Sequence, residues 1–113
     1  MKNTIQCLEV STTVESCEDA STLSRLIVEQ RLGACVQVMP CQSTYHWQGK
    51  IEESSEQKLL VKTLPGLLPE LERLLCQHHP YDTPEILAIP VYWCNSDYLA
   101  WMKKELKEEA GNG

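Results

Sequence analysis

Residues 34–63, ACVQVMPCQSTYHWQGKIEESSEQKLLVKT, contain two long strand-like runs on either side of Gln48-Gly49. A residue pair that ends in glycine between two such runs is typical of a tight β-hairpin turn, because glycine adopts left-handed backbone angles at little cost. Pro40 has no backbone N–H to donate, so it predicts a bulge or an edge position in the first arm. The sequence therefore predicts a long antiparallel hairpin at the centre of the fold.

The predicted hairpin is too long for the domain that contains it. An arm of about 14 residues spans about 46 Å at about 3.3 Å per residue, whereas a compact chain of this size has a radius of gyration of about 13 Å. The arms must project or curl, and the polar stretch at residues 52–57 cannot serve a core. A projecting hairpin exposes strand edges that a second subunit can pair with, so we expect oligomerisation through these edges.

The remaining elements follow from hydrophobic periodicity and end signals. Ser16, with Asp19 three positions later, resembles a helix capping box, and Gly33 offers a stop. The predicted elements are a strand at 5–11, a helix at about 17–32, the hairpin arms at 34–48 and 50–63, a helix from near Pro69 to before Pro80, a strand at 85–91, and a third helix capped at Asn95-Ser96-Asp97.

This order predicts an α+β fold of the ferredoxin-like type. Its first six elements form a split βαβ sandwich, in which two helices cover one face of an antiparallel sheet, and the third helix is an addition. We expect one domain over residues 1–113, with a frayed tail at about 108–113.

Composition limits the classes of partner. The net charge is −6, and the ten Lys and Arg residues are scattered, which argues against nucleic acid and against an anionic membrane surface. No apolar run approaches the roughly 20 residues that a membrane helix needs. The first residues lead into mixed sequence without a signal-peptide pattern, so we expect a cytoplasmic protein that is not attached to a membrane.

The six cysteines lack the C-x-x-C spacing of a zinc knuckle. In a reducing compartment they are expected to be packed or surface thiols, with metal ligation by one of them as the alternative. Cys35 and Cys41 lie in one predicted strand and are the cysteines most expected to matter. We expect Cys35 to be buried and unreactive, because a thiol in apolar surroundings has little thiolate.

The segment with the most chemically active side chains is His78-His79-Pro80-Tyr81-Asp82-Thr83-Pro84-Glu85. Each proline restricts the residue before it to extended geometry, so the loop is expected to hold its side chains in place. His78 and His79 allow two interpretations: imidazoles that stabilise the helix C-terminus, or ligands for a cation. Lys62 has apolar neighbours, and Glu85 is its expected ion-pair partner.

Five motifs follow one another through nearly the whole chain: Gly33-Ala34-Cys35-Val36, Tyr45-His46-Trp47-Gln48-Gly49-Lys50, Val61-Lys62-Thr63, His78-His79-Pro80-Tyr81 with Pro84-Glu85, and Asp97-Tyr98-Leu99-Ala100-Trp101. In this order and spacing the chain resembles the CutA family of divalent-cation tolerance proteins. The resemblance implies a ferredoxin-like subunit, a homotrimer assembled through the hairpins, and a role in tolerance of copper and other divalent metals.

The same resemblance implies a metal site at His78 and His79, which match the histidine position before Pro-Tyr. Some members of the family add a cysteine at the end of the first strand, and here that position falls on Thr12. A neutral hydroxyl is a poor ligand for a soft or borderline metal, whereas two imidazoles suit Cu(II). We therefore expect weak Cu(II) binding, with helix capping as the alternative role of the histidine pair.

Tyr45 and Trp47 alternate onto one sheet face and are candidates for the trimer interface. An alternative function is a small-ligand regulatory trimer with an inter-subunit cleft lined by Trp47, Lys62, Tyr81 and Glu85, by analogy of fold alone. We do not expect an enzyme, because no nucleophile, base and orienting group can be named together.

Overall fold

The structure, a computed structural model, describes residues 5–109. Its elements are β1 (Leu8–Val14), α1 (Cys17–Glu29), β2 (Cys35–Trp47), β3 (Lys50–Thr63), a 3₁₀ turn (Pro65–Leu67), α2 (Leu68–His78), β4 (Leu87–Pro90) and α3 (Ser96–Glu105). The sheet order is β2-β3-β1-β4, and every neighbouring pair is antiparallel. The predicted α+β split βαβ fold with an additional C-terminal helix is confirmed.

The central hairpin has the predicted turn. Gln48 and Gly49 both have positive φ angles, 52° and 79°, which match the right-handed twist of the flanking strands. Pairing continues one-to-one from Cys35 opposite Lys62 to Trp47 opposite Lys50. Pro40 therefore lies on an edge strand, one of the two predicted positions, and its pairing with Gln57 continues without a bulge.

The outer half of the hairpin projects from the domain. β1 pairs with β3 only as far as Val14 opposite Gln57, so residues 50–56 of β3 pair with β2 alone. The described chain measures 46 × 32 × 25 Å and has a radius of gyration of 15.1 Å, larger than the roughly 13 Å of a compact chain of about this length. A two-stranded ribbon therefore extends past the core.

Helices α1 and α2 cover one face of the sheet and leave the other face exposed. Val10, Val14, Leu59 and Val61 are fully buried, in one core with Ile27 of α1 and with Leu71 and Leu75 of α2. Because strand side chains alternate, the residues between them point to the opposite face, which we call the open face. The open face carries the side chains of Gln37, Met39, Leu60, Leu87 and Ile89. Leu87 and Ile89 are 56% and 52% exposed.

Two strand predictions were displaced from the observed bounds. β1 was expected at residues 5–11 but begins and ends three residues later, because Thr12, Thr13 and Val14 pair with β3 and are buried. The predicted strand at 85–91 is shorter, Leu87–Pro90, because it pairs only with residues 8–11 of β1.

The third helix is attached to the ends of the other two. The guanidinium of Arg31 donates to the backbone oxygen of Glu105 at 2.7 Å, and the backbone N–H of Lys107 donates to the oxygen of Arg31 at 3.0 Å. The Lys107 ammonium contacts the Glu70 carboxylate at 2.7 Å. Of the predicted frayed tail, residues 110–113 lie outside the described residues. Within residues 5–109 no helix has the length and apolarity needed to cross a membrane.

Helix α1 starts as predicted and ends earlier than predicted. The Ser16 hydroxyl accepts from the backbone N–H of Asp19 at 3.0 Å, which caps the N-terminus. The helix stops at Glu29, and Arg31 rather than Gly33 adopts the left-handed φ, 58°. Gly33 is needed for a different reason: a Cβ there would lie 2.6 Å from Val61 Cγ1 and 2.7 Å from Ile27 Cγ2.

We predict that Gly33→Ala destabilises the protein by about 1–3 kcal/mol, because the added methyl group enters a filled core between two buried β-branched side chains. Denaturant unfolding of the wild type and the variant measures the change. The matched test is a cycle with Val61→Ala, which makes room for the methyl group and should reduce the cost of the glycine substitution. An equal cost in both backgrounds would show that this close approach does not limit stability.

Candidate functional site

The candidate site lies where α2 ends and the following loop turns toward β4. Pro69 occupies the first turn of α2, and the backbone N–H of His79 closes the helix on the oxygen of Leu75 at 2.8 Å. His79 itself is extended, with φ −74° and ψ 138°, which is the effect expected from Pro80. His78 lies in the last turn of α2 and is exposed, whereas His79 is half-buried.

Both ring nitrogens of His79 make hydrogen bonds. Nδ1 accepts from the backbone N–H of Tyr81 at 3.1 Å. This contact leaves the proton on Nε2, which donates to the Thr12 hydroxyl at 2.9 Å. Burial lowers the pKa of the His79 imidazole, in agreement with a neutral ring that needs one acceptor nitrogen. His79 therefore fastens the loop to β1.

The contact between Thr12 and His79 resembles a hydroxyl nucleophile beside its base, but the proton is on the wrong atom. A base must accept the hydroxyl proton, whereas here the imidazole donates toward Thr12. Thr12 is also fully buried. In this arrangement the pair serves to position the loop.

Tyr81 extends the network to the hairpin. Its hydroxyl donates to the Glu56 carboxylate at 2.8 Å, and its ring lies 5.1 Å from the His79 ring. Burial raises the pKa of the Tyr81 phenol, and the hydrogen bond to Glu56 raises it further. Glu56 is 8% exposed, at the point where β3 continues beyond β1. The loop is therefore held to β1 through Thr12 and to β3 through Glu56.

The predicted ion pair between Lys62 and Glu85 is wrong. Lys62 pairs with Glu9, which faces it across β1 and β3, and Glu85 instead accepts from the Ser11 hydroxyl at 2.9 Å. The register of the strands decides this, since it places a carboxylate directly opposite Lys62.

The four residues proposed for a small-ligand cleft lie in separate places within one chain. Trp47 is beside the hairpin turn and Tyr81 contacts Glu56, whereas Lys62 and Glu85 pair with different partners on β1. An inter-subunit cleft would have to combine them from different copies. The interface candidates Tyr45 and Trp47 lie on one face of the hairpin and are 45% and 59% exposed. The Tyr45 hydroxyl lies 3.4 Å from the Ser54 hydroxyl.

The cysteines do not follow the sequence expectation. Cys35 was expected to be buried but is half-buried, because it faces the same side of the sheet as Lys62, away from α1 and α2. Cys7, which the sequence did not single out, is 3% exposed. It lines a cavity of about 380 Å³ together with Cys94, Lys62 and the side chains at the start of α3. All six cysteines are free thiols.

No group of three or more His, Cys, Asp or Glu side chains suited to a metal occurs among residues 5–109. A cation at His78 and His79 would therefore have at most these two imidazoles from one chain, with water or a neighbouring copy to complete its coordination.

Comparison with known proteins places these features in one family. The family model described as CutA1 divalent ion tolerance protein matches residues 8–105. The divalent-cation tolerance protein CutA of Thermus thermophilus is 43% identical over 93 residues, which cover 81% of this chain and 90% of that protein. The chloroplastic CutA of Arabidopsis thaliana is 35% identical over 92% of this chain, which spans only 58% of that longer protein.

A solved structure agrees with the fold and the family. The structure of the periplasmic divalent cation tolerance protein CutA from Archaeoglobus fulgidus is similar with a TM-score of 0.87 at 31% identity, covering 89% of this chain and 99% of that chain. With the family model matching most of its length, this chain belongs to the CutA1 divalent ion tolerance family.

Proposed function

We propose that this divalent ion tolerance protein acts as a homotrimer that binds Cu(II) weakly at His78 and His79. The observation that carries the proposal is the contact between Thr12 and His79 at 2.9 Å. In this contact Thr12, whose position is a cysteine in some members of the family, lies beside the predicted ligand His79. The two halves of the proposal, assembly and metal binding, are tested separately.

The assembly rests on apolar surface that one chain leaves exposed. The open face and the projecting hairpin leave six large apolar side chains 38% to 67% exposed: Met39, Tyr45, Trp47, Ile51, Leu87 and Ile89. Large exposed apolar patches are typical of protein interfaces. Among residues 5–109, β2 and β4 are the edge strands of the sheet, and their outer backbone groups pair with no other strand. Other copies of this chain would cover both features.

We predict that Trp47→Ala weakens the trimer, because a desolvated aromatic anchor at an interface typically contributes about 2 kcal/mol or more. Light scattering across a dilution series measures the mass and its midpoint concentration. Trp101→Ala is the matched control, since Trp101 is 42% exposed on α3 and stacks on Tyr98 within the same chain. A wild type with the mass of one chain at micromolar concentration would contradict the trimer.

The metal half of the proposal rests on the different states of the two histidines. His78 is exposed and free to rotate toward a cation, whereas His79 would have to exchange a hydrogen bond with Thr12 or Tyr81 for a metal bond. This exchange and the lack of a thiol at residue 12 both lower affinity. Nitrogen donors favour Cu(II) over Zn(II) in the usual order of divalent affinities.

We predict that the wild type binds Cu(II) weakly and in preference to Zn(II), and that His78→Ala/His79→Ala abolishes this binding. Calorimetry measures both, and affinity should fall as the pH is lowered, because protons compete with the metal for imidazole nitrogen. His46→Ala, which removes an exposed histidine of the hairpin, is the matched control. Equal copper binding by the double variant and the wild type would make the histidine pair purely structural.

A separate prediction concerns the structural role of His79. Its pKa is lowered in the folded state, so below about pH 6.5 the unfolded chain takes up a proton that the folded chain does not. The free energy of unfolding should therefore fall as the pH drops through this range. His79→Gln keeps a donor but cannot titrate, and its stability should depend less on pH.

Denaturant unfolding at several pH values between about 7.5 and 5.5 measures this difference. His78→Gln is the matched control, because it removes a neighbouring exposed imidazole and should preserve the wild-type dependence. If the two variants have the same pH dependence, the bonds of His79 to Thr12 and Tyr81 do not hold the ring neutral.

We further propose a cytoplasmic location, supported by six free thiols, which persist in a reducing compartment. The similar protein from Archaeoglobus fulgidus is described as periplasmic, and that location is said of that protein alone.

A further inference from the structure

A cavity of about 380 Å³ lies between the open face of the sheet and the start of α3. Glu9 of β1 and Lys62 of β3 line it from the sheet, and Trp93 lines it from the segment between β4 and α3. Neither Thr12 nor Tyr81, the partners of His79, belongs to its lining. The volume falls within the roughly 300–1,000 Å³ that is typical of small-molecule pockets, at the small end.

The cavity has an apolar floor and an aromatic rim. Cys7, Leu8 and Met102 line the floor and are buried, at 3%, 6% and 1% exposure. Trp93 lines the rim and is 71% exposed, so one chain leaves most of its indole uncovered. An apolar group that enters the cavity removes its own surface and part of this indole from water, which is favourable. A fitting ligand therefore has an apolar part.

The sheet side of the cavity carries an ion pair with hydrogen-bonding capacity to spare. The Lys62 ammonium contacts Oε2 of Glu9, and the two side chains are 18% and 33% exposed. An ammonium has three N–H donors and a carboxylate has two oxygens, so this contact uses only part of each group. Within residues 5–109 neither side chain makes another hydrogen bond or ion pair. A ligand can therefore accept from Lys62 and donate to Glu9 while the pair stays intact.

Two adjacent opposite charges select the charge pattern of the ligand. Glu9 repels a simple anion that approaches Lys62, and Lys62 repels a simple cation that approaches Glu9, so a single charge gains little. A zwitterion whose two charges lie side by side is attracted at both ends when it aligns against the pair. An α-amino acid has this pattern, because its carboxylate and its ammonium are joined through one carbon atom, and its side chain supplies the apolar part.

Three neutral polar side chains complete the surroundings of the ion pair: Gln37, Asn95 and Tyr98 line the same cavity. Among residues 5–109 none of these side chains has a hydrogen-bond partner, and Asn95 leaves the N-terminus of α3 without a side-chain cap. Burial raises the pKa of the Tyr98 phenol, so its hydroxyl keeps the proton and remains a donor. Amide and hydroxyl groups of this kind supply the additional hydrogen bonds that a carboxylate and an ammonium need when they leave water.

We propose that this cavity binds a free α-amino acid with an apolar or aromatic side chain. The Lys62 ammonium contacts the ligand carboxylate, Glu9 contacts the ligand ammonium, and the ligand side chain packs against Trp93 and the apolar floor. All of these groups belong to one chain. The inference therefore depends neither on Cu(II) binding at the histidine pair nor on the trimer, and its failure would leave both proposals unaffected.

The test titrates the full chain, by calorimetry, with ligands that differ by one charged group. L-phenylalanine is compared with 2-phenylethylamine, which lacks the carboxylate, and with 3-phenylpropionate, which lacks the ammonium; L-leucine tests a smaller side chain. We expect one amino acid per chain, and binding of each one-charge analogue that is weaker than that of phenylalanine by about 10-fold or more, because a charge-assisted hydrogen bond is lost. Equal affinity for 3-phenylpropionate and phenylalanine would overturn the proposal, as would the failure of both amino acids to bind at millimolar concentration.

Three variants locate the binding and separate it from effects on folding. Glu9→Met/Lys62→Met removes both charges together, so no unpaired charge remains in the sheet, and it should abolish phenylalanine binding. Lys58→Met is the matched control, because Lys58 lies on the same face of β3 but outside the cavity, and it should bind as the wild type does. Trp93→Ala changes an exposed side chain, so it should weaken phenylalanine binding without a change in the unfolding midpoint. Wild-type affinity in the double variant would overturn the proposal.

Discussion

The unbroken antiparallel pairing of β2 with β3 is the constraint on which the rest of the structure depends. One register runs from Lys62 at the end of the sheet to Lys50 at the turn. The position of a residue along β3 therefore determines which face of the sheet its side chain lies on. A slip of one residue would move Leu59 and Val61 from the core to the open face. The same register puts Glu56 just beyond the end of β1, where Tyr81 reaches it. The core and the attachment of the loop thus share a single cause.

Features that depend on neighbours in sequence were predictable. The Gln48-Gly49 turn, the Ser16 cap and the extended backbone before Pro80 each follow from the conformational limits of one or two residues, and the structure contains all three. The family resemblance was predictable too, because its motifs follow one another along the chain. The end of α1 was harder to predict. Gly33 suggested a left-handed residue that stops the helix, but Arg31 has that conformation, and Gly33 is instead needed because a side chain there would collide with Val61.

Features that depend on register were not predictable. The contact between Thr12 and His79 joins residues 67 positions apart, and nothing in either local sequence indicates the other. Glu85 was the expected partner of Lys62, and only the pairing of β1 with β3 selects Glu9 instead.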